Sequence, residues 1–108
     1  MRVVNRQKQT MKTLKEIHLN QFQLNILLDE EEKEAYRYIV QEGTYCVHCK
    51  DVCIEGVEVR ENILNDMNDI LIKGVCKKCE GYVSRFIEYG EFGDFVERAN
   101  SFRKAIGE

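Results

Sequence analysis

The chain has 108 residues, of which 44 % are hydrophobic and 32 % charged, and its net charge is −3. That length holds one domain, or one domain and an arm, and a core so small is commonly supplemented by metal or disulfides. Such a charge balance excludes a uniformly basic nucleic-acid binder, and the five cysteines, an odd number, argue against a secreted disulfide framework.

The charge is unevenly spread. Residues 1–28 carry five bases against one acid, net +4. Residues 29–69 carry twelve acids against four bases, net −8, and residues 70–108 seven bases against six acids, net +1. The pattern is a basic arm on an acidic body. Residues 1–10 are polar and basic and read as a flexible arm. Met11, Leu14 and Ile17 then fall at helical spacing. Phe22, Leu24, Ile26 and Leu28 alternate with Gln23 and Asn25, which predicts a short extended segment. The stretch Leu19 to Leu28 is too short and too polar for a signal peptide or a membrane span, so a reducing cytoplasm is the expected setting.

Asp29 and Glu32 form a capping box, and Glu30, Glu31 and Glu32 place acid in the first turn, where the helix dipole favours it. Ala35, Tyr36, Ile39 and Val40 make an apolar stripe, and Gly43 follows at the usual place of a left-handed cap. A helix over 30–42 is expected. Val52 to Leu64 and Ile70 to Val75 are β-branched runs separated by Asn65-Asp66-Met67-Asn68-Asp69. A helical stripe through Ile63, Leu64, Met67, Ile70 and Leu71 competes with a hairpin there. The hairpin is preferred because Asn and Asp cluster at its midpoint. Tyr82 to Tyr89 reads as a third strand, ended by Gly90 and Gly93. Phe92, Phe95, Val96, Ala99, Phe102 and Ile106 define one face of a helix over 94–106, with Asp94 and Arg98 as an i, i+4 pair.

The chemistry lies in two pairs, Cys46-Val-His-Cys49 and Cys76-Lys-Lys-Cys79. Two residues between cysteines let a tight turn aim both sulfurs at one ion, and two such turns supply four thiolates in a tetrahedron, which suits zinc. Gly81 is expected to take positive φ beneath the second pair. Iron is the rival ion. Cys53 reads as a small buried strand residue and His48 as an exposed side chain between ligands. His18 has no expected chemical role.

With these two motifs and Gly81, residues 44–90 resemble the zinc-ribbon and rubredoxin-like folds, in which two knuckles at the ends of β-hairpins share one ion. The expected architecture is α+β: a small β-hairpin zinc ribbon over 44–90, flanked by an N-terminal helical region and a C-terminal amphipathic helix. Residues 11–108 form one zinc-stabilised domain on this reading. A four-cysteine site leaves no open coordination position, and no nucleophile–base–acid set or phosphate loop accompanies it, so no catalysis and no small-molecule substrate are expected.

The resemblance implies a non-catalytic module in nucleic-acid-associated machinery. The alternative is an acidic adapter or inhibitor that occupies a basic surface of a partner protein. A thiol redox protein is the third reading. Candidate partner contacts are Lys77, Lys78, Arg98, Arg103 and Lys104, with the acids Glu30, Glu31 and Glu34.

Overall fold

The computed structural model describes residues 14–107. The expected arm at 1–10, and part of the Met11 stripe, lie outside them. Chain order is β1 (Ile17–Leu19), α1 (Gln21–Leu27), α2 (Glu30–Glu42), β2 (Tyr45–Cys46), β3 (Asp51–Val52), β4 (Val57–Leu64), β5 (Ile70–Cys76), β6 (Tyr82–Ile87), a 3₁₀ turn (Tyr89–Glu91) and α3 (Gly93–Ala105). The class is α+β, as expected. The long strands form one antiparallel sheet in the order β1-β4-β5-β6, and β2 pairs with β3 in a separate ribbon.

The first correction falls at Phe22–Leu28, expected as extended and found as helix α1. Asn20 Oδ1 accepts from the Gln23 N–H at 2.8 Å, and Gln23 Oε1 accepts from the Asn20 N–H at 2.9 Å. That reciprocal cap nucleates the turn. The buried residues are Leu24, Leu27 and Leu28, an i, i+3, i+4 stripe. Phe22 and Ile26, which lent the run its alternation, are exposed. Ile17 to Leu19 is likewise a strand and not helix.

Helix α2 begins as its sequence predicts. Asp29 Oδ1 accepts from the Glu32 N–H at 2.8 Å, and Glu32 Oε1 accepts from the Asp29 N–H at 2.9 Å. Tyr36, Ile39 and Val40 are partly buried against the core, while Ala35 is exposed. Gly43 does close the helix, but at φ −113° and ψ 8°, so it is not a left-handed cap. Its N–H donates to Ile39 O, and Thr44 Oγ1 donates to the same carbonyl at 2.8 Å, which ends the helix without positive φ.

The hairpin reading holds, but its first strand begins at Val57 and not at Val52, which belongs to the separate ribbon, and the third strand ends at Ile87, before Tyr89. Strands β4 and β5 run from Val57 opposite Cys76 to Leu64 opposite Ile70, with a bulge between Val59 and Glu61. Asn65 organises the turn: its Oδ1 accepts from the N–H groups of Met67 and Asp69. Met67, which the competing helical stripe would bury, is exposed. One sheet face carries Leu64, Ile70, Ile72 and Ile87, and packs with Leu24, Leu27, Phe95 and Ala99 into the main core. The opposite face of β6 leaves Tyr82 and Phe86 in solvent.

Helix α3 matches its expected span to within a residue, yet its apolar face divides. Phe95 and Ala99 are fully buried, whereas Phe92 and Ile106 are exposed. Two of its cations are structural. Arg98 donates to Leu27 O at 3.1 Å and pairs with Glu32 and Asp29, so it turns from Asp94 toward the start of α2. Arg103 is buried, and its guanidinium donates to Asn68 Oδ1 at 3.0 Å and to Lys15 O and Asn65 O, each at 2.6 Å. One planar cation thereby joins the hairpin turn, the entry to β1 and α3. Hydrogen bonds to a charged group contribute about 1.5–3 kcal/mol each, and a carbonyl left buried without one costs a similar amount. Arg103→Ala is therefore expected to lower stability by about 3 kcal/mol in urea unfolding, against less than about 0.5 kcal/mol for the exposed neighbour Lys104→Ala. Equal effects would contradict the clamp.

Candidate metal centre

Both knuckles are built alike. In the first, the Lys50 N–H donates to Cys46 O at 2.8 Å; in the second, the Glu80 N–H donates to Cys76 O at 2.8 Å. Each loop turns back through a left-handed residue, Lys50 at φ 60° and Glu80 at φ 64°. These are the positions directly after the second cysteine of each pair. The expectation that Gly81 supplies the positive φ is therefore corrected: glycine is absent from the left-handed position in both knuckles. Gly81 is needed for space. A Cβ there would stand 2.2 Å from His48 Cδ2, so the imidazole of the first knuckle lies over the backbone of the second.

The two turns bring Cys46, Cys49, Cys76 and Cys79 together, with all four sulfurs within 4.8 Å of one another. Cys46 Sγ and Cys79 Sγ are 3.5 Å apart, and Cys49 Sγ and Cys76 Sγ are 3.9 Å apart. Around a tetrahedral ion with metal–sulfur bonds of about 2.3 Å, sulfurs stand roughly 3.8 Å from each other. The donor set and its spacing fit a metal ion. Cys46 and Cys76 are buried, Cys49 is half-buried and Cys79 is exposed, so the cluster sits at the surface with one corner toward solvent.

Backbone N–H groups already favour negative sulfur. The Cys49 N–H donates to Cys46 Sγ at 3.4 Å and the Gly81 N–H to Cys79 Sγ at 3.3 Å. The Cys79 N–H draws the Cys76 thiol down to about 6, and the Cys49 N–H draws Cys46 down. The neighbouring Cys79 sulfur, with burial, pushes Cys49 up to about 12. At Cys79 the Gly81 N–H pulls downward, but burial and the Cys46 sulfur carry the thiol up. The protons held by Cys49 and Cys79 are those a bound cation would displace.

Cys53 lies beside the cluster, fully buried as expected, but in the loop after β3 and not in a strand. Burial pushes its thiol up to about 12, with the sulfurs of Cys76 and Cys46 adding to the effect. It packs with Cys46, Cys76, Val57 and Val83, and Val40 and Val59 connect this group to the main core. His48 is exposed, as expected, although its packing on Gly81 was not legible in the sequence. His18 is also exposed, on β1, with Nδ1 3.3 Å from Glu61 Oε1.

Lys77, Lys78 and Lys104 are exposed, as are Glu30, Glu31 and Glu34. Arg98 and Arg103 are committed to the fold, and the buried Arg103 is not a surface contact. The missed surface residues are Tyr82 and Phe86, which project from the outer face of β6. A sequence signal for them existed: residues 82, 84 and 86 share one strand face, and only Ile87 and Val83 on the other are apolar and buried. Among the described residues, no helix is long and apolar enough to cross a membrane. Compared with protein-family models, curated proteins and solved structures, the chain has no match.

The imidazole–glycine contact gives a test of knuckle packing. Gly81→Ala should weaken metal retention about 5- to 10-fold in a chelator competition, in line with about 1 kcal/mol for overpacking. The double variant His48→Ala with Gly81→Ala should recover most of that loss. No recovery would place the cost elsewhere.

Proposed function

We propose that the chain is a non-catalytic binding module, built on one structural zinc ion, that works in nucleic-acid-associated machinery. Cys46, Cys49, Cys76 and Cys79 would hold the ion. Four thiolates suit zinc and fill its coordination sphere, leaving no position for substrate or water. The ion would hold the two knuckles together and nothing more. Iron is the alternative ion for the same donors.

The observation that carries the nucleic-acid reading is the outer face of β6 beside the second knuckle. Tyr82 and Phe86 are 80 % and 52 % exposed there. Ser84 stands between them, opposite Lys73 on β5, and Lys77 and Lys78 follow at the end of that strand. Of the nearby acids, Glu58 is matched by Arg60 at 3.3 Å, and Glu61 stands opposite Lys73 on β5. Two aromatic rings with cations beside them form a stacking platform for unpaired bases, and stacking contributes about 1–3 kcal/mol per base. Leaving two such rings side by side in solvent is costly in solubility, which makes their exposure informative.

The second reading is an acidic adapter that docks on a basic surface of a protein. The exposed Glu30, Glu31 and Glu34 favour it. A redox role for the cysteine pairs has the least support, since the geometry of the four sulfurs already suits one ion.

Single-stranded oligonucleotide binding, followed by anisotropy at two salt concentrations, separates these readings. Three phosphate contacts from lysines predict a loss of about 20-fold between 50 and 200 mM salt, both values being on the order used for such slopes. Tyr82→Ala with Phe86→Ala should cost at least about 10-fold more. Absence of binding, or binding indifferent to salt and to both rings, would sink the nucleic-acid reading.

A further inference from the structure

A second surface stands apart from the metal centre. The knuckles occupy the end of the β4–β5 hairpin where Val57 faces Cys76, and the Arg103 clamp occupies the other end, at Asn65 and Asn68. A strand of seven residues spans roughly 24 Å. Near that far end, α1 and α3 flank an open groove of about 880 Å³. Its apolar walls are Phe22 and Ile26 on α1, and Phe102 on α3 with Ile106 just past the end of that helix. Each pair has i, i+4 spacing, so each helix offers one row of side chains to the groove. Phe22 is 70 % exposed, Ile26 57 % and Ile106 45 %.

We infer that this groove docks a basic amphipathic helix of a partner protein. Two parallel apolar rows with a channel between them are the complement of a helix bearing one apolar stripe. Charge selects the partner's sign. Asp94 and Glu97 line the groove and are exposed. Arg98, the cation among the lining residues, is already paired with Glu32 and Asp29. Asp94 and Glu97 are therefore the acids that set the sign of the groove's wall. Lysines or arginines flanking the partner's apolar stripe would meet this acid.

The same charge argument disfavours the other occupants. A second copy would bring its own Asp94 and Glu97 to the same rim and carries net charge −3. Residues 1–13 of the chain are basic, with Arg2, Arg6, Lys8 and Lys12 and no acid. Their apolar residues are Met1, Val3, Val4 and Met11, too sparse for a stripe over two or three turns. This surface is separate from the nucleic-acid reading and stands or falls without it.

The test uses the full chain and a labelled synthetic helix with leucines at i, i+3, i+4 and i+7 and lysines on its other face. Fluorescence anisotropy should show saturable binding. Phe22→Ser with Ile26→Ser should weaken it at least about 10-fold, and these exposed positions can change without loss of core packing. Asp94→Asn with Glu97→Gln should weaken it about 3- to 10-fold and reduce its salt dependence. Tyr82→Ala with Phe86→Ala should leave it unchanged. A peptide with glutamates in place of the lysines should not bind. Equal binding of a scrambled peptide, or indifference to Phe22→Ser with Ile26→Ser, would overturn the proposal. So would tighter binding by a synthetic peptide of residues 1–13, or a dimer in sedimentation that the Phe22 and Ile26 changes abolish, since each names a different occupant.

Discussion

Four sulfur atoms confined within 4.8 Å of one another are the constraint on which the rest of this structure depends. Thiolates at that spacing repel, and thiols at that spacing bury protons with few good acceptors; a cation resolves both problems. Closing the cluster joins Cys46 and Cys49 on the short β2–β3 ribbon to Cys76 and Cys79 at the end of the long hairpin. The ribbon is in turn tied to α2, because the Thr44 hydroxyl donates to Ile39 O at the end of that helix while the Thr44 carbonyl accepts from the Cys53 N–H at 2.8 Å. Val40 and Val59 then carry the packing from the cluster into the main core. Apparent binding free energies of structural zinc are about 10 kcal/mol or more, comparable with the whole net stability of a domain. In a chain of this size an ion of that kind would outweigh any single hydrophobic contact.

The far end of the hairpin is secured differently. Arg103 satisfies two backbone carbonyls and a side-chain amide where the turn, β1 and α3 meet. A four-cysteine cluster at one end and a buried guanidinium at the other hold a sheet whose middle is ordinary aliphatic packing. This division leaves both ends with surfaces free for contact. The knuckle end offers aromatic rings and lysines, and the helical end offers an apolar groove with an acidic rim. The charge asymmetry of the sequence has the same sense: its acids gather where α2 begins, and Lys77 and Lys78 stand in the second knuckle.

How much of this was legible follows from what each signal measures. The cysteine spacing encodes the site almost directly, because two residues between ligands define a turn that points both sulfurs one way. Asp29 and Glu32 announced α2 in the same local manner, and the Asn/Asp cluster at 65–69 announced the hairpin. Alternation at Phe22–Leu28 misled because exposed Phe22 and Ile26 counted as buried in a pattern that cannot see burial. Gly43 and Gly81 were assigned the role glycine most often plays, when both act by being small or by ending a helix at ordinary φ. Arg98 and Arg103 looked like surface cations at a helix end. Their partners lie on α1, α2 and the hairpin turn, far away in sequence, and no local pattern contains that information.

Metal analysis of the purified chain, paired with thermal unfolding before and after a strong chelator, tests the central claim most directly. The account predicts one zinc per chain and loss of the cooperative transition once the ion is removed. Metal-free protein that unfolds at the same temperature with or without chelator would contradict it, and bound iron would replace the closed zinc site with redox-active chemistry at the same four sulfurs.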